Sequence, residues 1–361
     1  MAPLLKDLYN EMYIQKLCNA LEESYTPFKK DAFTSCIFNK EWEKKELKQR
    51  MRYISTSLGI YLPQNYSQSI EILKKSFLKL PDGLGLQNMI FQDFVEVYGM
   101  DDFTTSMSAL ECFTINSSSE FAIRQFIIKY PTKTMQHILV WARHENHHIR
   151  RLSSEGCRPR LPWAIALSSF KENPQEIINI LELLKNDKSA YVIKSLANNL
   201  NDISKDNPDI VKNLVQEWLK EDKRREKYLK HASRTLLKAS DKDMLNLFGF
   251  TTSKNIHLDN FTMNNTVTIG KKLNFSFALH AEEFLGKLRV EFIISFLRKN
   301  NKYNKKVFHL SQGTYKTKSQ AFSKSYSFKK ISTRSYYSGL HELSIQVNGR
   351  VLMRKEFTLL S

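Results

Sequence analysis

The sequence predicts a mainly α-helical protein in two parts: a HEAT-like α-solenoid over residues 1–250, then an all-β immunoglobulin-like sandwich over residues 251–361. Three observations carry this. Apolar residues recur at helical spacing through the first two thirds of the chain. Three helices there align loosely, H-I-R-R-L-S-S-E, Y-V-I-K-S-L-A-N and Y-L-K-H-A-S-R-T, the first two 43 residues apart from Ile149 to Val192; helix pairs with a period near about 40 residues mark α-solenoids. Beyond Phe250 the composition shifts to Phe, Tyr, Ser, Thr and Val, and alternation replaces helical spacing.

Residues 1–30 read as one or two amphipathic helices with Leu4, Leu5, Leu8, Met12 and Leu17 on one side. Glu41–Pro63 is a second helix, with Trp42, Leu47, Met51, Ile54 and Leu58 as its buried stripe, and Tyr66–Leu78 a third. The run P-D-G-L-G (Pro81–Gly85) is a loop. In S-S-S-E, Ser117 and Glu120 have the spacing of a capping box before an apolar helix start. A continuous helix is expected through Ile138, Leu139, Ala142, Ile149 and Leu152, stopped by a left-handed cap at Gly156 and by Pro159 and Pro162. Pro174–Asn186 and Ala190–Ser204 form a pair joined by D-K-S, and Asn207-Pro208 opens a further helix.

In the last third, L-N-F-S-F-A-L (Leu273–Leu279), L-R-V-E-F-I-I-S-F-L (Leu288–Leu297) and H-E-L-S-I-Q-V (His341–Val347) alternate as strands. Asn348-Gly349 is the preferred type I′ hairpin pair, and V-L-M-R-K-E-F-T-L returns from it. About seven short strands in this length suit an immunoglobulin-like sandwich.

Net charge is +18. The sandwich has 19 Lys and Arg against 6 acids, while the preceding 250 residues have 36 against 31. Basic clusters such as Arg298–Lys306, and the stretch Gly313–Lys330 read as a loop, fit a grip on a phosphate backbone; the plainer reading is a solvated surface. Cys18, Cys36, Cys112 and Cys157 are scattered without C-x-x-C spacing, so neither zinc nor redox chemistry is suggested and a reducing, cytoplasmic setting is expected. The N-terminus lacks the apolar run of a signal peptide, and no stretch has the length of a membrane span.

The chemistry concentrates between Trp141 and Trp163, with five arginines, three histidines and two acids. Arg143, His147, Arg150 and Ser154 would share one helix face, a ready phosphate-binding strip. Glu155 violates a local rule: an anion in the last helical turn opposes the helix dipole. It is either one half of an Arg–Glu pair that fixes the turn or a carboxylate held in a cationic pocket to act on a ligand. Glu120 could simply cap a helix, Asp202 could be a turn residue before Asn207-Pro208, Trp163 could staple a helix start in the core, and Arg150 and Arg151 could be solvated. Trp141 and Trp218 are read as core. H-x-x-H-H (His144, His147, His148) lacks companion ligands, so no metal and no cofactor is assigned.

The run H-I-R-R-L-S-S-E-G-C-R-P-R-L-P-W (His148–Trp163) resembles the signature of the AlkC-type alkylpurine DNA glycosylases. So do E-L-K-Q-R-M-R-Y-I (Glu46–Ile54), S-S-E-F-A-I-R-Q-F (Ser118–Phe126) and S-L-A-N-N-L-N-D-I-S-K-D-N-P-D (Ser195–Asp209). The resemblance implies a HEAT-like DNA glycosylase that removes cationic methylated bases, notably 3-methyladenine and 3-methylcytosine. It places the site carboxylates at Glu120, Glu155 and Asp202 and the lesion-facing aromatic at Trp163. Arg151 would contact DNA or order the site, with Arg150, Arg158, Arg160, His147 and His148 as further DNA contacts. Gln125 departs from the family's Pro, which touches the helix rather than the chemistry. The expected partner is double-stranded DNA carrying alkylated bases, bound by a monomer, with no membrane. The rival reading is a non-catalytic HEAT-repeat scaffold for nucleic acid or protein, which leaves the acid among arginines unexplained.

Overall fold

The computed structural model describes residues 4–251, 255–331 and 334–361. Residues 1–3, at the start of the first expected helical stretch, and 252–254 and 332–333, within the expected sandwich span, lie outside them. Among the described residues are sixteen α-helices, three short 3-10 turns and eight strands. The chain divides into two compact units, Met1–Asn207 and Pro208–Ser361.

The first unit holds α1 (Glu11–Ser24), α2 (Lys30–Ile37), α3 (Leu47–Tyr61), α4 (Tyr66–Lys79), α5 (Met89–Tyr98), α6 (Phe103–Thr114), α7 (Ile123–Lys129), α8 (Pro131–Trp141), α9 (His147–Glu155), α10 (Ser168–Glu172), α11 (Gln175–Leu184) and α12 (Ala190–Ile203). Helices pack on neighbours two or three elements away, α1 on α4, α3 on α5 and α9 on α12, as stacked helix pairs do. The stripe expected for α3 is buried at Met51, Ile54 and Leu58, and Trp42 is buried in the turn before it. The N-terminal stripe is displaced. Leu4, Leu5 and Met12 are more than half exposed, and α1 buries Tyr13, Ile14, Leu17, Cys18 and Leu21 instead. Leu17 keeps its expected place, and the face is completed by Tyr13 and Ile14 before it and Cys18 and Leu21 after it.

The helix expected through residues 138–154 is two helices. Asn146 accepts from His148 N at 2.8 Å and caps α9, so the chain breaks at residues 142–146. Arg143 therefore precedes α9 and does not join His147 and Arg150 in a strip, and Ser154 is buried. Gly156 is not a left-handed cap either; its φ is −64°. Glycine is required there by space, because a Cβ would lie 2.6 Å from Ile123 Cγ2.

In the second unit, α13 (Pro208–Glu221), α14 (Glu226–Ala232), α15 (Arg234–Lys238) and α16 (Lys242–Leu247) precede β1 (His257–Met263), β2 (Thr266–Thr268), β3 (Lys272–His280), β4 (Gly286–Leu297), β5 (Tyr303–Tyr315), β6 (Ser319–Ser327), β7 (Gly339–Val347) and β8 (Arg350–Leu360). The sheets run β1-β3-β6 and β2-β8-β7-β4-β5. Alternate residues of β3 (Leu273, Phe275, Phe277) and β4 (Val290, Phe292, Ile294) meet in one core, with Phe275 and Phe292 edge to face at 5.2 Å. Asn348 and Gly349 have φ of 47° and 79°, the two left-handed positions of the β7–β8 turn. Much of the stretch 313–330, read as a loop, is instead the end of β5 and the edge strand β6. Its Ser-rich, Lys-rich alternation is that of a strand edge kept from pairing further.

The division expected at residues 250–251 follows secondary structure. The packing divides the chain at 207–208, because the last helices join the strands. Lys287 Nζ pairs with Glu226 at 3.1 Å, Asn348 Nδ2 donates to Thr251 O at 2.9 Å, and Gly349 leaves no room for a Cβ beside Leu245.

Candidate active site

Three elements of the first unit bring the predicted acids together. Glu120 lies in the turn before α7, Glu155 is the last residue of α9, and Asp202 is in the last turn of α12. The packing of α12 on α9 sets the last two face to face. Ser195 Oγ donates to Glu155 Oε2 at 2.6 Å, and Asn199 Nδ2 donates to Ser154 O at 2.8 Å. Small hydroxyl and amide side chains at steps of four on α12 let the helices approach this closely.

The acids are linked by shared arginines. Arg151 Nη1 lies 2.5 Å from Glu120 Oε2, and its Nη2 lies 3.5 Å from Glu155 Oε1. Arg158 Nη1 donates to the same Glu155 oxygen at 2.6 Å, while its Nε and Nη2 reach Asp202 Oδ2 at 2.8 and 2.7 Å. Lys205 Nζ takes the other Asp202 oxygen at 2.8 Å. The result is one continuous chain, Glu120–Arg151–Glu155–Arg158–Asp202–Lys205. Asp202 and Glu155 have side chains 2% and 8% exposed, whereas Glu120 is at 16%, so the Glu120 end is the more open. Burial lowers the affinity of Arg151 and Arg158 for their protons, but the flanking carboxylates outweigh it and raise both above the ordinary arginine value. Both arginines are permanent cations here.

Glu120 does not cap a helix. Helix α7 starts at Ile123, Ser117 Oγ donates to Gly85 O, and the Glu120 carboxylate accepts from Ser118 and Arg151. Asp202 is a buried helical residue, not an open turn. Trp163 is 62% exposed at φ +64°, outside any core. A left-handed conformation costs a non-glycine residue about 1–2 kcal/mol, so the surrounding contacts must impose it. Trp141 and Trp218 are core.

The other predicted residues divide by what they already hold. Arg150 donates to both oxygens of Asp187, at 2.5 and 3.1 Å, and to the carbonyls of His144 and Glu145, so it braces the α9 start rather than standing open. Arg158 is enclosed between acids. Arg160 is 41% exposed and forks onto Asp206 at 2.8 and 2.6 Å. His147 is exposed and His148 half-buried, their rings 4.3 Å apart and both near Tyr191. Burial first, then His147 and Arg151, hold His148 below the ordinary histidine value. Cys157 is buried, its thiol pushed up to about 12 by burial, which excludes it as a nucleophile.

Thirty-one per cent of residues are identical between this chain and the Pseudomonas fluorescens alkylpurine DNA glycosylase AlkC, solved bound to DNA containing an abasic site analog. The match covers 99% of this chain and 100% of that one, with a TM-score of 0.94. The chain belongs to the AlkC family. The Bacillus subtilis (strain 168) protein YhaZ is 38% identical to this chain over 349 residues, 96% of this chain and 97% of its own. Residues 257–361 match the family model described as "Uncharacterised protein YhaZ, C-terminal Ig-like domain". A helical-repeat fold followed by an immunoglobulin-like domain is thus the fold of this chain as of AlkC. No helix among the described residues is long and apolar enough to cross a membrane.

Sequence reasoning missed Arg124, Ser195, Lys205 and Tyr191. Arg124 is fully buried in α7 and donates to the carbonyls of Gly156, Arg158 and Ile165. It is the side chain that shapes the AlkC-type loop from Gly156 to Ile165, and burial lowers it to about 10. Tyr191 presents its ring 5.0 Å from the Arg151 guanidinium. The available signal was the placement of Arg124 beside Ile123, Phe126 and Ile127, where a charge has no reason to sit unless it is satisfied internally.

Proposed function

We propose that this chain is a monofunctional DNA glycosylase of base excision repair, hydrolysing the N-glycosidic bond of cationic alkylated bases, 3-methyladenine and 3-methylcytosine. It works on double-stranded DNA without a cofactor, as a monomer, in the cytoplasm and on the nucleoid. The observation that carries the reading is the acid chain itself. Three carboxylates share two arginines and one lysine in a chain of net charge +18, and an exposed tryptophan, Trp163, follows Glu155 in the loop after α9.

A base methylated at N3 leaves as a neutral molecule. The C1′–N bond breaks with its electron pair passing to the base and quenching the positive charge, so no general acid is needed. Positive charge then develops on the sugar. Glu155, fixed by Ser195 and Arg158, offers preorganised negative charge to it. Water adds its oxygen to C1′ and gives up a proton, for which Glu120, at the open end of the chain, is the general base. Asp202 holds Arg158 and so holds Glu155. The Trp163 indole attracts the cationic nucleotide by about 0.5–2 kcal/mol. His147, Arg151 and Arg160 bear on the DNA backbone, Arg160 by exchanging Asp206 for phosphate, while Arg150, Arg158 and His148 support them. The basic sandwich adds a sequence-independent grip.

The test is base release from DNA with defined 3-methyladenine or 3-methylcytosine, scored as free base and abasic sites, with wild type and Glu155→Gln. Release by wild type and its loss in the variant, with DNA binding retained, supports the proposal. DNA binding without release by wild type would return the chain to a non-catalytic scaffold.

A further inference from the structure

The stretch E-L-K-Q-R-M-R-Y-I has no part in the chemistry above, yet one of its side chains reaches the site. Lys48 lies in the first turn of α3, and its Nζ donates to the backbone carbonyl of Trp163, 115 residues away in sequence. The same ammonium lies 4.5 Å from the centroid of the Phe121 ring, next in sequence to Glu120. One cation therefore touches both segments that carry solvent-facing site residues: the turn of Glu120 and the loop of Trp163.

The loop needs such a restraint. Trp163 is held at φ +64° with its side chain 62% exposed, so its own packing does not fix the backbone. Arg124 grips Ile165 O from below, and Ala164 N bonds Leu161 O at 3.3 Å. Lys48 supplies the hold on the tryptophan's own peptide. Nearby, Arg52 forms ion pairs with Asp93 at 2.9 Å and Glu96 at 2.5 Å. Lys48 is one turn earlier on the same face of α3. With those carboxylates already paired, the Lys48 ammonium is available to the carbonyl.

We infer that Lys48 is a positioning residue: it latches the left-handed Trp163 peptide to the Phe121 turn and so fixes the indole at the place where the damaged nucleotide is received. This rests on the glycosylase reading for its effect on rate, but the latch itself can be observed without it.

Lys48 is exposed, so Lys48→Met keeps the stem and removes the donor without opening the core. The protein is labelled with 5-fluorotryptophan, and the Trp163 fluorine resonance is assigned by its loss in Trp163→Phe. In Lys48→Met that resonance is expected to move and narrow while those of buried Trp141 and Trp218 stay in place, and Lys48→Arg is expected to restore it. Single-turnover release of 3-methyladenine with enzyme in saturating excess should fall by about 2- to 30-fold in Lys48→Met, no more than loss of the indole contact itself would cost, and recover in Lys48→Arg. An unmoved Trp163 resonance overturns the latch. A resonance that moves with no change in rate overturns its role in the reaction, and a loss confined to sub-saturating enzyme, with the saturated rate unchanged, makes Lys48 a DNA contact instead. If wild type releases no base, the glycosylase reading fails while the fluorine result still decides the latch.

Discussion

In the helical unit Arg158 lies between Glu155 and Asp202. In the sandwich Arg289 lies against Glu291 at 2.5 Å, equally buried. The sandwich pair ends in neutral amides: Gln312 accepts from Arg289 at 3.0 Å and Gln346 donates to Glu291 at 3.0 Å. It is a closed one-to-one pair, and it sits where β4 and β7 each carry a register irregularity, at Val290/Glu291 and Ile345/Gln346. The helical cluster ends instead in Glu120 and Lys205, both partly exposed, and has more than one acid per arginine. A closed pair pins backbone. An open-ended chain, whose links each have two partners, can take a cationic ligand at its end without leaving any member unpaired.

Breaking the two clusters should separate them. Arg158→Met and Arg289→Met each take from a buried carboxylate its shortest-held cation and should lower unfolding free energy by about 3–5 kcal/mol in urea titrations. Adding Glu291→Leu to Arg289→Met should recover most of the loss, since both charges are then gone. Adding Glu155→Leu to Arg158→Met should recover less, because Asp202 keeps only Lys205. Equal recovery would mean that the helical cluster is no more than a second structural pair.

Next in size, Glu155→Gln should cut single-turnover base release by about 10²–10³-fold, the range for removing one preorganised electrostatic partner, while Glu291→Gln leaves release unchanged. Trp163→Ala should cost about 0.5–2 kcal/mol of transition-state stabilisation in kcat/KM on cationic lesions, and little in affinity for undamaged DNA. The smallest effect concerns Asp187. Burial raises its carboxyl, but Arg150 and the Ser189 N–H outweigh burial and hold it below the ordinary aspartate value. The sign follows from linkage: a depressed folded-state value gives stability that is complete above the ordinary range and is lost as pH falls through the folded-state value. Asp187→Asn should therefore flatten the acid limb of a Tm-against-pH curve and leave base release at neutral pH nearly intact.

The elements were legible where periodicity was strong, as in α4, α11, α12 and the β7–β8 hairpin. They were misread where one residue overruled the pattern. Asn146 stops a helix that apolar spacing would have continued through it, and a serine-rich edge strand imitates a loop between residues 313 and 330. Of the site, Glu155, Glu120 and Asp202 were found through motifs, and their convergence needed coordinates. Whether an arginine meets phosphate or a carboxylate depends on partners dozens of residues away, as Asp187 is for Arg150 and Asp206 for Arg160. Spacing within one helix carries no information about those partners. Ser195 was invisible for a simpler reason: a serine in a helix has no pattern until the acid opposite it is known.

Arg124 has a consequence for how this molecule is assembled. Its donors go to three carbonyls of a segment that lies 32 to 41 positions later in the chain. That segment has no strand or helix of its own between Glu155 and Ser168. Its form is therefore borrowed from a guanidinium already embedded elsewhere, and an early folding chain with α9 complete but α7 undocked would possess every reactive group and no mould to set them in. Competence then requires tertiary closure, so pulse-labelled exchange should show the Arg158 and Ala164 amides, which bond the carbonyls of Glu155 and Leu161, protected after those of both flanking helices.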